Sequence, residues 1–125
     1  MEPAWIKKVV NVIRPLKSDC FLEIGPGRGA LTWELAKTGA TVLAVEIDRE
    51  LSALLTRNSG PLVVVRTGDV LSLDLTSIAL ESIRLSKTQS TTLRIVGNLP
   101  YNVSAPILLR IFRVYDDGAP VRDAV

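Results

Sequence analysis

The chain of 125 residues contains no histidine. That removes the commonest general acid and base, so any catalysis has to run without imidazole. There is one cysteine, Cys20. A lone cysteine forms no internal disulfide, and without histidine there is no zinc set, so no metal is expected. The expectation is a cytoplasmic protein in a reducing compartment, with Cys20 a small buried hydrophobe. No apolar run approaches the length of a membrane span. The opening Met1-Glu2-Pro3-Ala4-Trp5 does not resemble a secretory signal, and no membrane partner is expected. Internal repeats and low-complexity stretches are also lacking. What is present is a hydrophobic fraction of 47%, enough for a real core in a single domain. The net charge of +2 is compatible with an RNA partner without pointing to one.

The chain is organised around Cys20-Phe21-Leu22-Glu23-Ile24-Gly25-Pro26-Gly27-Arg28-Gly29. A short apolar run reads as a buried strand. It breaks into alternating glycines, and an amphipathic segment follows with Ala30, Leu31, Leu35 and Ala36. Glycines let a ligand come close with no Cβ in the way. The N–H groups at the start of the following helix are unpaired. No Gly-Lys-Ser/Thr follows, so this is not a phosphate loop, and the glycine spacing is not that of the dinucleotide fingerprint. An ordinary tight strand-to-helix turn stays open at this point.

The rest of the chain alternates. Glu2 and Pro3 read as the start of a helix that buries Trp5, Ile6, Val9, Val10 and Ile13 and stops at Pro15. Lys17, Ser18 and Asp19 form a turn into the first strand. A second helix runs from about Gly29 to Lys37 with Gly39 as its stop. Thr41 to Val45 is a continuous apolar strand ending at Glu46-Ile47-Asp48. Asp48 suits the cap of a third helix with Leu51, Leu54 and Leu55 inward. Leu62 to Val65 is a third strand, Ser72 to Arg84 a partly helical segment, and Leu93 to Gly97 a fourth strand. A further helix is expected over Ser104 to Tyr115, with Ile107, Leu108, Ile111 and Phe112 inward, and a strand begins at Asp123-Ala124-Val125. Alternating strands and helices imply an α/β fold: a mostly parallel sheet with helices on both faces. Ligands in such sheets sit beyond the carboxyl ends of the strands. The residues there are Gly25 to Gly29, Glu46, Asp69 and Asn98 to Tyr101.

Each strand end has its own chemistry. Glu46 lies where an acid commonly accepts hydrogen bonds from two ribose hydroxyls, the alternatives being a solvated acid or a helix cap. Asp69 can accept from an adenine amine while Val70 packs on the ring, or it can simply stabilise its own Gly68-Asp69 turn. Asn98-Leu99-Pro100-Tyr101 combines a carbonyl acceptor, a turn-fixing proline and an aromatic face. Acceptors plus a stacking face suit an extruded base bearing an amino group. Hydrogen bonds from that amine would localise its lone pair, and in-line attack on a methyl sulfonium then needs no strong base. A strand-ending turn with a core tyrosine is the plainer alternative.

Glu23-Ile24-Gly25-Pro26-Gly27-Arg28-Gly29-Ala30-Leu31-Thr32, Val45-Glu46-Ile47-Asp48, Gly68-Asp69-Val70 and Gly97-Asn98-Leu99-Pro100-Tyr101-Asn102-Val103-Ser104-Ala105-Pro106-Ile107 resemble, in order and spacing, the motifs of the KsgA-type small-subunit rRNA adenine dimethyltransferases. The related Erm methyltransferases usually carry Ile where Leu99 stands, which favours the KsgA side. The resemblance implies a Rossmann-like class I methyltransferase with S-adenosylmethionine as methyl donor and S-adenosylhomocysteine as product. It implies rRNA of the small ribosomal subunit as partner and adenine amines as acceptors. Cofactor binding is implied at Glu23, Gly25, Gly27, Glu46, Ile47, Asp69, Val70 and Asn98. The implied catalytic stretch is Asn98, Leu99, Pro100 and Tyr101, with Asn98 on the target amine and Tyr101 stacked on the base.

Two departures from the family pattern shape the expectation. A Gln-Asn-Phe-Leu-like segment normally precedes the position of Glu2, and the family sheet continues past Val125 into a small rRNA-contacting domain. Residues 1–125 are therefore expected to be the cofactor-binding half of the methyltransferase domain, incomplete at the C-terminus. The strand leading to Asn98 would then be an open edge that invites self-association. A catalytically inactive nucleotide- or RNA-binding assembly factor stays open. So does a dinucleotide oxidoreductase, against which the alternating glycines and Asn98-Leu99-Pro100-Tyr101 argue.

Overall fold

A computed structural model describes residues 4–86, 92–97, 106, 107, 111, 113, 115 and 121–124. The elements are α1 (Ala4–Ile13), β1 (Cys20–Ile24), α2 (Ala30–Lys37), β2 (Thr41–Glu46), α3 (Arg49–Asn58), β3 (Val63–Thr67), α4 (Leu75–Arg84), β4 (Leu93–Gly97) and β5 (Val121–Ala124). The strands form one sheet in the order β3-β2-β1-β4-β5. All four pairings are parallel. β1 and β2 are buried along their whole length, which is why they read as unbroken apolar runs.

Side-chain alternation along the strands builds two cores. Leu22, Ile24, Leu43, Val45, Leu93 and Ile95 meet α4 residues Leu75 and Ala79 on one face. Phe21, Val42, Ala44 and Val96 meet Ile6 and Ile13 of α1 and Leu31 and Leu35 of α2 on the other. Cys20 is buried as expected, its thiol donating to the Ser82 carbonyl at 3.2 Å. Burial pushes that thiol up from its ordinary value, so it is no nucleophile.

Several expectations need correction. Trp5 is 39% exposed, because the buried line of α1 runs through Ile6 and Ile13 instead. Leu54 is also exposed. In α3 the inward positions are Ser52 and Leu55, and the Ser52 hydroxyl bonds the Thr67 hydroxyl on β3. A small polar residue that finds a hydroxyl on the sheet displaces leucine from the packed line. The Ser72 to Arg84 segment resolves into α4, capped by Asp74, whose carboxylate accepts from the Ser77 N–H at 3.2 Å. Of the helix expected over 104–115, residues 106, 107, 111, 113 and 115 are described and are helical. Ile107 is buried and Tyr115 exposed; Leu108 and Phe112 lie outside the described residues.

The largest correction concerns the sheet edge. β5 pairs with β4, Leu93 opposite Val121 and Arg94 opposite Asp123. The strand that leads to Asn98 is therefore covered on both sides, and among the described residues the edges of the sheet are β5 and β3. The order reverses between β1 and β4, and that switch point is where open α/β sheets bind ligands.

Candidate functional site

Glu23 is an acidic residue inside a fully buried strand, a place where an acid needs a hydrogen-bond partner. The partner comes from α2, where the Thr32 hydroxyl donates to Glu23 Oε1. Glu23 is 3% exposed. Burial pushes its carboxyl up to about 7; the Thr32 hydrogen bond pulls it back, and the charge of Glu46 on the next strand raises it further. Thr32 was not singled out by the sequence reading. The signal was there, since an acid inside an apolar run calls for a donor nearby.

Past Ile24 the chain enters the glycine turn, which is tied down at every second residue. The Gly25 N–H donates to the Val45 carbonyl at 2.9 Å and the Gly29 N–H to the Pro26 carbonyl at 2.9 Å. The Gly27 N–H donates to Glu46 Oε1 at 2.8 Å. All three glycines have positive φ, at 70°, 59° and 91°. They differ in what lies around them. A Cβ on Gly27 would meet nothing within 4 Å, so this face of the turn is an open cradle. A Cβ on Gly29 would lie 2.6 Å from Leu55 Cδ2 and 2.8 Å from Trp33 Nε1. Gly29→Ala is therefore expected to cost roughly 2 kcal/mol from strain and overlap together, read as a lower urea midpoint. Gly27→Ala carries the backbone strain without the overlap and should lower that midpoint by a smaller amount, equivalent to about 1 kcal/mol.

Glu46 is 4% exposed and joins three segments. Its Oε1 holds the glycine turn, its Oε2 accepts from the Asp48 N–H at 2.9 Å, and its carbonyl accepts from the Gly68 N–H at 2.9 Å. It is neither a solvated acid nor a helix cap. The cap of α3 belongs to Asp48, which accepts from Glu50 and Leu51 N–H groups. Each carboxylate oxygen of Glu46 keeps a second lone pair for an incoming hydroxyl. Beside this buried acid, Ile47 is 64% exposed, an apolar face left open at the rim.

Asp69 Oδ1 accepts from the Leu71 N–H at 2.9 Å, and its carbonyl accepts from Ser72 and Leu73 N–H groups. The turn-forming role considered for it is thus present. Val70 is buried and belongs to the core on the α4 side, its side chain packed among apolar neighbours. Asn98, Leu99, Pro100 and Tyr101 lie outside the described residues. β4 does end at Gly97, whose register partner is Ile24, so the chain leaves β4 at the same level at which β1 enters the glycine turn. Gly25, Gly27, Glu46 and Ile47 thus gather at the carboxyl ends of the adjacent strands β1 and β2, with Glu23 buried just behind and Asp69 past the end of the neighbouring β3. Among the described residues no group of His, Cys, Asp or Glu side chains is arranged to hold a metal ion. No helix of the described residues is long and apolar enough to cross a membrane.

A nucleoside-bearing ligand fits this arrangement: a Cβ-free cradle at Gly27, an acid able to receive two hydroxyls and an exposed aliphatic face at Ile47. Comparison with known proteins agrees. A family model described as ribosomal RNA adenine dimethylase matches residues 1–122. A ribosomal RNA small subunit methyltransferase A of a Burkholderia species is 41% identical over 114 residues, 89% of this chain and 39% of that protein. The protein of the same name from Methylococcus capsulatus is 39% identical over 117 residues, 92% of this chain and 42% of its own length. The chain thus spans about two-fifths of these relatives. Among solved structures, the 23S rRNA methyltransferase ErmE superposes with a TM-score of 0.71 at 24% identity, covering 99% of this chain and 45% of ErmE. An RNA methyltransferase from Salinibacter ruber, in complex with S-adenosyl-L-homocysteine, gives 0.67 at 19% identity, over 97% of this chain and 71% of that one. The fold is the Rossmann-like methyltransferase fold expected from the sequence.

Proposed function

The chain belongs to the ribosomal RNA adenine dimethylase family, and from that premise we propose that it is the S-adenosylmethionine-binding part of an enzyme that methylates adenine amines in small-subunit rRNA. On this reading residues 1–125 are the cofactor-binding half of the methyltransferase domain, working in the cytoplasm on ribosomal RNA. The observation that carries it is Glu46, a buried acid that fastens the glycine turn and still offers acceptors at the crevice.

The residues divide the work. Glu46 receives the ribose hydroxyls, Ile47 covers one face of the adenine, and the open side of Gly27 lets the ligand lie against backbone. Asp69 orders the turn beneath the base. The cofactor supplies an electrophilic methyl group on a sulfonium. Asn98 accepts hydrogen bonds from the target amine and holds its lone pair toward that methyl, and Tyr101 stacks on the extruded base. Direct displacement of this kind asks for positioning rather than a strong base, in keeping with a chain that has no histidine.

Calorimetric titration of the chain with S-adenosylmethionine, with NAD as control, tests the reading. S-adenosylmethionine should bind and NAD should not. Glu46→Ala should weaken binding by about 1–3 kcal/mol, the range for a lost charge-assisted hydrogen bond. Equal affinity of parent and variant would take Glu46 out of the ribose role. Binding of NAD alone would end the methyltransferase reading.

A further inference from the structure

Arg28 is the one charged side chain of the glycine turn, and the cofactor role does not use it. Arg66 pairs with Glu81, Arg94 with Asp19 and Asp123, and Arg122 with Asp19, whereas Arg14, Arg28, Arg49, Arg57 and Arg84 make no such pair among the described residues; of these five only Arg28 sits in the glycine turn at the carboxyl ends of the strands. Arg28 is exposed and has no hydrogen-bond or ion-pair partner among the described residues. Two acids stand directly behind the turn, Glu23 and Glu46, and both are satisfied without it. An arginine that leaves two neighbouring carboxylates unpaired with it is turned away from the cofactor floor, toward solvent.

The backbone that carries Arg28 is held firmly. Gly27 on one side is tied to Glu46, and Gly29 on the other is packed beneath Leu55 and Trp33. The turn is thus a firmly held stem presenting one cation at the carboxyl end of β1, beside the end of β4. A planar guanidinium fork suits the paired oxygens of a phosphate. S-adenosylmethionine carries no phosphate, whereas an RNA strand that delivers an adenine to the end of β4 must pass its backbone over this rim.

We infer that Arg28 binds a backbone phosphate of the incoming RNA strand and so positions the target nucleotide. The inference rests on the RNA-methylating reading above. It assigns Arg28 to the acceptor side of the site and not to the cofactor.

The test uses the 125-residue chain and a fluorescent, single-stranded, adenine-containing RNA, with anisotropy titrations across a salt series. Arg28→Gln is compared with Arg57→Gln, which removes another exposed charge from the last turn of α3, at the end of that helix away from the carboxyl end of β2. Losing one phosphate contact should flatten the plot of log affinity against log salt by roughly 0.7 and weaken binding about fivefold at 0.1 M salt. Arg57→Gln should track the parent, and S-adenosylmethionine affinity by calorimetry should be the same in all three proteins. Equal losses in both variants would reduce the effect to overall charge and overturn the assignment. So would an Arg28→Gln protein that keeps RNA affinity but loses the cofactor. Those two results leave the RNA reading standing. A parent chain that binds the cofactor but no RNA defeats the RNA reading for this chain, and the assignment with it.

Discussion

Replacing Arg94 by alanine should cost about 3–5 kcal/mol of stability, the range found when one member of a buried ion pair is removed. The Arg94 side chain is 6% exposed and Asp19 is 5% exposed. Arg94 Nη1 donates to Asp19 Oδ2 at 3.0 Å, Nε and Nη2 form a fork on Asp123 at 2.9 and 3.0 Å, and Nη2 also reaches the Ile13 carbonyl at 2.7 Å. The guanidinium lies 5.3 Å from the centroid of the Phe21 ring. One side chain on β4 thereby joins the end of α1, the turn before β1, and β5. Alanine would leave the Asp19 carboxylate buried, with only the Leu16 N–H at 2.8 Å and a long contact to Arg122 at 3.4 Å among the described residues. A domain of this size has a total stability of roughly 5–15 kcal/mol, so the loss is a large share of it. Urea unfolding followed by circular dichroism measures the effect. Asp19→Asn combined with Arg94→Met should recover part of it, because the stranded charge is then gone. A loss below about 1 kcal/mol in the single variant would mean that water reaches this cluster and the pair is worth no more than a surface one.

That cluster also marks where the sequence stops being legible. β1, β2 and β4 were readable because central parallel strands are apolar on both faces, and the helix starts at Asp48 and Gly29 carry local signals. The gathering of Gly25, Gly27 and Glu46 at one end follows from the rule that parallel strands deliver their carboxyl ends to the same side. Arg94, Asp19 and Asp123 are a different matter. Asp19 looks like any turn residue, Arg94 like a flaw in a strand, and Asp123 like the beginning of another. Residues 75 and 29 positions apart meet only once the strand order is known. The same holds for the Ser52 hydroxyl on Thr67, which displaced Leu54 from the buried line of α3. The position of Glu46 makes it a candidate site residue from sequence, but its hold on the Gly27 N–H appears only with β1 and β2 side by side. The contribution of Asn98 and Tyr101 still rests on their sequence alone.

Stability should fall as pH rises from about 4.5 to about 7, through Glu23. Its folded carboxyl titrates at about 7 against an ordinary value of 4.5. Between those limits the folded chain holds a proton that the unfolded chain has lost, so raising the pH draws the equilibrium toward the unfolded state. The contribution is full below about 4.5 and gone above about 7. It amounts to about 3 kcal/mol at alkaline pH, the two-and-a-half-unit difference taken at 1.36 kcal/mol per unit. Glu23→Gln removes the titration while keeping an oxygen to accept the Thr32 hydroxyl. The variant should match the parent near pH 4 and exceed it by up to about 3 kcal/mol near pH 8, read from urea midpoints at both values. Working with the difference between the two proteins removes the background common to both and leaves Glu23 with its coupling to Glu46. Identical pH profiles would show that Glu23 is ionised in the folded chain throughout, held by groups beyond Thr32. The predicted gain on neutralising an acid is itself informative. A buried carboxyl with a hydroxyl but no cation beside it weakens the fold when it ionises, and such sites are found where a ligand, not the fold, needs the charge. On the proposed function that ligand carries a sulfonium, so the Gln variant should gain stability and lose affinity for S-adenosylmethionine in the same preparation.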